Sequence, residues 1–167
     1  MAADLWQVAP VAVVPATWRD LHAVWELEKL CFPGDAWPWI DVLASLTFPE
    51  TVRLMAMQDG LAVGFVVGDR RRHEGLGWIA TLGVRPGRRR QGIARRLLDR
   101  CEIDLGTPRL RLTLRRSNLG ARTLYDQAGY QQIDSWPGYY RNGEDGVVME
   151  KIILPERPSR GGERLVE

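Results

Sequence analysis

The positions of apolar residues along the chain predict an alternation of short strands and amphipathic helices. A valine-rich run at residues 8–14 predicts an opening strand, and Pro10 within it favours an edge position because proline has no N–H group to pair. Thr17 and Asp20 have capping-box spacing, so we expect a helix to begin there. An apolar stripe continues this helix to about Cys31, and the Pro-Gly pair that follows ends it.

Two β-type runs, at 52–57 and 61–67, flank Asp59 and Gly60, which is the strongest short-range signal for a tight hairpin. A polar loop is predicted at 70–75. The remaining predicted elements are helices at 40–46, 93–105 and from Asn118 to Gly129, and strands at 77–84, 110–114, 131–134 and 147–153. This order predicts an α+β fold with a mixed sheet, because the early hairpin argues against a purely parallel, doubly wound sheet.

The composition is that of an ordinary globular protein, with 167 residues, 45% of them hydrophobic, 26% charged, and a net charge of +2. We expect one domain at 1–154 and a flexible, Pro- and Gly-containing tail at 155–167. No apolar run approaches the roughly 20 residues of a membrane span, and the start lacks a signal-peptide pattern, so we expect a cytoplasmic protein. Cys31 and Cys101 lack metal-site spacing, so we expect reduced thiols and no metal.

Positive charge is concentrated where the predicted strand at 77–84 leads through a loop into the predicted helix at 93–105. Seven arginines lie between Arg85 and Arg100, against the single acid Asp99. Unpaired N–H groups at a helix N-terminus attract anions, and Gly92 lets a ligand approach the backbone closely. This pattern favours a diphosphate site, although a solvated basic helix has the same charge. Because the rest of the chain is not basic, we do not expect nucleic-acid binding.

Three segments carry a resemblance to a known family. Residues 89–94, RRQGIA, read as the (Q/R)xxGx(G/A) motif of the GNAT superfamily of acetyl-CoA-dependent N-acetyltransferases. Residues 112–130, LTLRRSNLGARTLYDQAGY, resemble the second GNAT motif. The WPW of residues 37–39, with the YY and NGEDGVVM of the closing loop, looks like the RimI branch, the ribosomal-protein-alanine N-acetyltransferases. The resemblance implies a mostly antiparallel twisted sheet of about seven strands flanked by about four helices.

The resemblance also implies roles for particular residues, with acetyl-CoA as cosubstrate. The end of the fourth strand would bind the pantetheine arm through Leu82, Gly83 and Val84. The following loop would hold the pyrophosphate, mostly through backbone N–H groups, with Arg89, Arg90, Gln91, Gly92, Ile93, Ala94 and Arg95. Asn118 would contact the cofactor near the pantetheine. Tyr125 matches the general acid that protonates the leaving thiolate; the alternative is a tyrosine that only packs on the sheet.

The sequence departs from the RimI pattern at the general base. Thr113 stands where that pattern has a glutamate, and Trp78 stands where other GNAT enzymes place one. Possible substitutes, which sequence cannot place near the amine, are Glu28, Asp35, Glu74 and Glu144. A site poor in base should favour α-amines, because at pH 7 an α-amine of pKa about 7.7 to 8.0 is partly neutral whereas lysine, near about 10.4, is almost fully charged.

Aromatic residues of two loops are the candidates for the acceptor pocket, although they could instead close the core. They are Phe32, Trp37, Trp39, Tyr139 and Tyr140. We expect an N-acetyltransferase acting on a peptide or protein N-terminal α-amine by direct attack in a ternary complex. The alternatives are acetylation of a small amine and a non-catalytic acetyl-CoA sensor. We expect a monomer or homodimer.

Overall fold

The structure is a computed structural model and describes residues 10–153. The start of the predicted first strand and the predicted tail at 155–167 lie outside the described residues. The strands are β1 (Ala12–Pro15), β2 (Thr51–Gln58), β3 (Leu61–Arg71), β4 (Leu76–Val84), β5 (Arg109–Arg115), β6 (Gln131–Trp136) and β7 (Gly146–Ile152). The helices are α1 (Leu21–Cys31), α2 (Trp39–Thr47), α3 (Ile93–Leu105) and α4 (Leu119–Gln127), with three single 3-10 turns in the loops.

The seven strands form one sheet in the order β1-β2-β3-β4-β5-β7-β6. Every neighbouring pair is antiparallel except β4 and β5, which are parallel. The predicted α+β class and the mostly antiparallel sheet are therefore confirmed. The valine-rich opening strand lies at an edge of the sheet, as its proline predicted. None of the helices between residues 10 and 153 is long and apolar enough to cross a membrane.

The hairpin between β2 and β3 turns at Asp59 and Gly60, whose φ angles of 52° and 74° are both positive. A two-residue turn with positive φ at both positions matches the twist of the flanking strands, which explains the Asp-Gly signal. The β3 strand runs to Arg71, beyond its predicted end, because Arg70 and Arg71 pair with the start of β4. Pairing with a neighbouring strand thus overrides the polar character of these residues.

Helices cover both faces of the sheet and enclose two separate cores. On one face, α3 and α4 pack against the central strands, with Leu97, Leu98 and Cys101 fully buried. On the other face, α1 and α2 pack against β2 and β3 around Leu27 and Phe65. The capping box of Thr17 and Asp20 is present, and it begins a single 3-10 turn that leads into α1.

The pairing between β4 and β5 ends early, and this opens the sheet. Residues 76–79 of β4 pair with residues 109–112 of β5, and β4 beyond Ile79 pairs with β3 alone. The register between β3 and β4 shifts beside this point, skipping Ala80. A bulge of this kind bends the strand that carries it. The gap leaves the last part of β4 with one unpaired edge in the middle of the sheet.

Two glycines of β3 allow α3 to lie close to the sheet. A Cβ atom at Gly68 would lie 2.8 Å from the Cys101 sulfur and 2.9 Å from a methyl carbon of Leu105. A Cβ atom at Gly64 would meet Leu97 at 3.0 Å. Any side chain here would push α3 away, and with it the loop at the start of that helix.

We predict that Gly68→Ala lowers the free energy of unfolding by about 1–3 kcal/mol, because an added methyl group overpacks the contact with α3. The measurement is urea unfolding followed by circular dichroism. Gly120→Ala is the matched control. Gly120 lies in α4 with an open Cβ position, so the same change there should raise stability by about 0.5–1 kcal/mol. Equal effects of the two variants would contradict this account of the packing.

Candidate active site

A cavity of about 160 Å³ lies where β4 and β5 part. Its walls come from α1, the α1–α2 loop, β4, β5, α4 and the β6–β7 loop. The lining is mixed: Ile79, Leu82 and Leu114 contribute apolar surface, and Glu28 and Tyr125 contribute ionisable groups. This cavity therefore joins the segment predicted to bind the cofactor to the loops predicted to bind the acceptor.

The three residues predicted to bind the pantetheine arm lie at the end of β4, where the strand pairs with β3 on one edge and has no partner on the other. Leu82 lines the cavity, and Val84 is buried in the core shared with α3. Gly83 faces α1, where a Cβ atom would lie 2.7 Å from the Phe65 ring and 3.0 Å from the Cys31 sulfur. Only glycine therefore lets the end of α1 approach this strand, and the strand's free edge remains open to a ligand backbone.

The loop before α3 has the shape of an anion cradle. Arg90 and Gly92 both have positive φ, 62° and 75°, and α3 begins at the next residue, Ile93. Nothing lies within 4 Å of a Cβ atom placed on Gly92, so the backbone there is accessible. The Nε atom of Arg85 is buried and has no hydrogen-bond partner among residues 10–153. Accessible backbone N–H groups at a helix N-terminus fit a phosphate group.

The arginines predicted around this cradle differ in their partners. Arg89 donates from Nε to the Val84 carbonyl at 3.0 Å, which fixes the loop to the end of β4. Arg95 pairs with Asp99 and donates to a carbonyl at the end of α4, so its guanidinium is already engaged. The other predicted cradle residues fall into two groups. Arg90 and Gln91 are exposed, the side chain of Ile93 is buried in the core, and that of Ala94 packs against it.

Asn118 and Tyr125 line the cavity from the second motif. The side-chain oxygen of Asn118 accepts a hydrogen bond from the Ala121 N–H at 3.1 Å and so caps α4. Almost two helical turns later, Tyr125 is 7% exposed and packs edge-on against Tyr130. Burial raises the pKa of Tyr125 well above its usual range. Its hydroxyl group therefore keeps its proton at neutral pH.

Arg115 ties the two loops over the cavity together. It donates to Asp35 of the α1–α2 loop at 2.7 Å and to Glu144 of the β6–β7 loop at 2.6 Å. Its guanidinium also lies 4.1 Å from the centre of the Tyr140 ring. Hydrogen bonds from Ser117, and then from Arg115, lower the pKa of Glu144 to about 2. One cation thus binds Asp35, which lines the cavity, and Glu144 of the neighbouring loop.

Of the five aromatic residues predicted for the acceptor pocket, Phe32, Trp37 and Tyr140 line the cavity. The other two do not. Trp39 begins α2 and is 52% exposed. Tyr139 is equally exposed and packs edge-on against Tyr140. The structure therefore brings together three of the five, because the α1–α2 loop ends one residue earlier than expected and the two neighbouring tyrosines point in different directions.

A buried carboxylate, Glu28 of α1, also lines the cavity. Glu28 is 2% exposed, and its two oxygens accept hydrogen bonds from the Trp37 N–H and the Thr81 hydroxyl, both at 3.3 Å. Burial raises the pKa of Glu28 to about 7, although these two hydrogen bonds partly offset the effect. Thr113 lines the same cavity, and its hydroxyl is buried without a hydrogen-bond partner in the described part of the chain.

Comparison with known proteins agrees with this geometry. The sequence matches the acetyltransferase (GNAT) family over residues 21–130. The chain belongs to the GNAT family. An uncharacterized N-acetyltransferase of Methanocaldococcus jannaschii is 31% identical over 137 residues, which cover 80% of this chain and 86% of that protein. The chain is thus an N-acetyltransferase of the GNAT type, a family whose fold uses acetyl-CoA.

Two solved structures share the fold of this GNAT enzyme. The ribosomal-protein-S18-alanine N-acetyltransferase of Escherichia coli superimposes with a TM-score of 0.79 at 23% identity, covering 95% of this chain and all of that one. The NatC complex bound to Gag peptide and CoA has a matching chain with a TM-score of 0.78 at 18% identity, covering 86% of this chain and 99% of that one. At these identities the likeness concerns the fold.

From the sequence, Glu28 was one of four possible general bases of this GNAT enzyme. Its position gave a usable signal, because Glu28 follows Val24 by one helical turn and so lies on the apolar face of α1. Of the other three carboxylates, Asp35 and Glu144 bind Arg115. Glu74 lies in the 3-10 turn between β3 and β4 and does not line the cavity.

We predict that Glu28→Gln raises stability at high pH. A carboxyl group whose pKa is raised in the folded state stabilises the protein fully below its unfolded value near 4.5, and this contribution is lost as pH rises to about 7. Relative to wild type, the free energy of unfolding of the variant should be unchanged near pH 4.5 and higher by up to about 3 kcal/mol above pH 7. Glutamine can keep both hydrogen bonds, since its oxygen can accept from Trp37 and its amide can donate to Thr81.

The measurement for this prediction is the melting temperature of both proteins between pH 5 and pH 9. Glu26→Gln is the control, because Glu26 lies on the same helix but is exposed beside Lys29. A difference between wild type and Glu28→Gln that does not change with pH would contradict the raised pKa.

Proposed function

We propose that this GNAT enzyme transfers the acetyl group of acetyl-CoA to the N-terminal α-amine of a peptide or protein. The observation that carries the proposal is the entrance of the cavity, where Arg115 ties two loops together beside aromatic side chains. Asp35 and Glu144 each have Arg115 as a cationic partner, so these two carboxylates are less available to a polyamine. The entrance instead has aromatic walls, Phe32, Trp37 and Tyr140, that suit the end of a peptide chain.

The donor side of the proposal rests on the cradle before α3. Backbone N–H groups at residues 90–93 would bind the pyrophosphate. The free edge of β4 at Leu82, Gly83 and Val84 would bind the pantetheine amides, and Asn118 would approach the same arm. When bound, acetyl-CoA supplies a thioester carbonyl carbon for attack. Its site and the acceptor loops would then meet at the cavity between β4 and β5.

In the proposed reaction the neutral amine attacks the thioester directly, without an acetylated protein residue. Both cysteines are poorly suited to carry the acetyl group. Cys101 is fully buried in the core, and burial raises the pKa of Cys31. A backbone N–H of β4 would polarise the carbonyl, and Tyr125 would donate its proton to the sulfur as the C–S bond breaks. The two loops tied by Arg115 would position the amine for attack.

Two likenesses support the choice of acceptor. The E. coli structure is that of an enzyme named for the alanine of ribosomal protein S18, and the NatC complex is bound to a peptide and CoA. We place the reaction in the cytoplasm, as the sequence led us to expect. A small free amine would also fit a cavity of about 160 Å³, and the acceptor experiment below separates it from a peptide.

We predict that Tyr125→Phe lowers kcat by about 10²–10³-fold, the usual range for loss of a general acid. The Kd of acetyl-CoA should change less than about threefold, because the ring still packs on Tyr130. Thiol release and calorimetric binding give the two values. Tyr130→Phe is the matched control, since its hydroxyl group bonds Glu102 in the core. An equal loss of kcat in both variants would count against the assigned role of Tyr125.

We also predict that free N-termini are acetylated at least about 100-fold more efficiently than N-blocked lysine peptides at pH 7.5. The reason is the neutral fraction of each amine, and the ratio should shrink at pH 9, where more lysine is neutral. Thiol release from acetyl-CoA is measured with Ala-starting peptides, N-blocked lysine peptides and polyamines. Preferential turnover of lysine or polyamines would overturn the proposal. Tight CoA binding without turnover would favour a sensor.

A further inference from the structure

We propose that Glu28 of α1 is the general base of this enzyme and replaces the base missing from β5. The inference rests on the proposed function, because it assigns a step of that reaction. Glu28 and Thr113 line the same cavity from different elements, α1 and β5. A carboxylate on α1 can accept a proton from the same amine as a carboxylate on β5 would, provided that it reaches the reacting nitrogen directly or through one water.

The surroundings of Glu28 are those of a proton acceptor held in place. It is the only carboxylate among the described cavity residues that Arg115 does not bind. Its two hydrogen bonds, from the Trp37 N–H and the Thr81 hydroxyl, come from the acceptor loop and from the open part of β4. Those two elements would flank the amine and the thioester. The carboxylate is therefore fixed between the predicted positions of the two substrates.

A contribution to the stability of the fold does not explain why a glutamate occupies position 28. Its side chain lies on the apolar face of α1 beside Val24 and Leu27, where an alkyl side chain would pack without losing hydration. It forms no ion pair within residues 10–153, and its hydrogen bonds at 3.3 Å are long. Catalytic acids and bases are commonly carboxyl groups that are buried in a cavity and accept only weak hydrogen bonds.

The other ionisable groups near Glu28 come from several elements of the fold. From α1, Cys31 has its pKa raised by burial. From α4 and the β6–β7 loop, burial raises the pKa of Tyr125 above its usual range and that of Tyr140 to about 12. From β5 and the α1–α2 loop, Arg115 and Asp35 form an ion pair. The Glu28 carboxyl, with its pKa raised to about 7, is thus the group whose charge changes near pH 7.

The proposed step balances protons and electrons. The amine lone pair forms the N–C bond to the thioester carbon, and the nitrogen gives a proton to a Glu28 oxygen. The C–S bond breaks, the sulfur takes the electron pair, and Tyr125 supplies the proton that makes the free thiol. Solvent then carries the proton of Glu28 back to Tyr125. The products are an acetamide and CoA, and both side chains return to their initial states.

This assignment also bears on the acceptor. An α-ammonium group with a pKa of about 7.7 to 8.0 lies close to Glu28 in acidity, whereas a lysine near about 10.4 holds its proton far more tightly. Proton transfer is most efficient between groups of similar pKa. The buried carboxylate would therefore favour N-terminal amines at neutral pH.

The first test compares wild type with Glu28→Gln on the best acceptor found in the panel, with saturating substrates, from pH 6 to pH 9. We expect kcat to fall at least about 30-fold and the Kd of acetyl-CoA to stay within about twofold. The wild-type kcat should rise with an ionisation near pH 7 that the variant lacks. An acceptor with a less basic amine should leave this ionisation in place. A kcat within threefold of wild type, or an unchanged pH profile, would overturn the assignment.

The second test moves the base back to β5. Adding Thr113→Glu to Glu28→Gln should recover kcat at least about tenfold, since the position lines the same cavity. A folded double variant that binds acetyl-CoA without any recovery would show that Glu28 only holds Trp37 and Thr81 in position. If the double variant is not folded at the assay temperature, the pH profile of Glu28→Gln alone decides.

The two proposals fail in different ways. If the wild-type enzyme prefers lysine or a polyamine, the acceptor proposal is wrong, and Glu28→Gln is tested on that amine in the same way. If free N-termini are acetylated but Glu28→Gln is as active as wild type, the acceptor proposal stands and the general base lies elsewhere.

Discussion

The separation of β4 from β5 determines where the cavity lies and which helices and loops can line it. The two strands are parallel neighbours for only four residue pairs, and then a gap opens in the middle of the sheet. Backbone groups in the centre of a sheet normally pair with the next strand, so an unpaired edge there needs another partner. Residues of α4, Ala121 and Tyr125, reach the gap from one face of the sheet, and Glu28 of α1 with the loop after α1 reaches it from the other. The cavity is the place where these two approaches meet.

Charge is organised around the gap in two different ways. The donor side presents the exposed Arg90 and Gln91 and the backbone N–H groups at the start of α3. On the acceptor side, Arg115 binds both Asp35 and Glu144. These ion pairs are only partly exposed, so solvent screens them less than it screens ordinary surface pairs. One side is thus ready to bind an anion, and the other uses its charges to hold two loops.

Much of the fold could be predicted from local patterns. The Asp-Gly turn, the helix at 93–105 and the caps at Asn118 and Gly129 depend on neighbouring residues, and each lies where the sequence indicated. The extension of β3 to Arg71 could not be predicted, because it depends on pairing with β4. The motifs located the cavity, whereas the partners of Arg115 depend on contacts between residues up to 80 positions apart. Glu28 lies between these cases: its burial follows from the helical stripe, but its place in the cavity required the fold.

The sheet separates two cores that share few side chains, one under α3 and α4 and the other under α1 and α2. Substitutions in the core under α1 and α2, and in its loops, can therefore accumulate without disturbing the contact of α3 with Gly64 and Gly68. Such a division lets a lineage exchange one acceptor for another while the donor chemistry is inherited unchanged. In this chain a single arginine joins the α1–α2 and β6–β7 loops, so a change in the residues that it binds would alter both loops together.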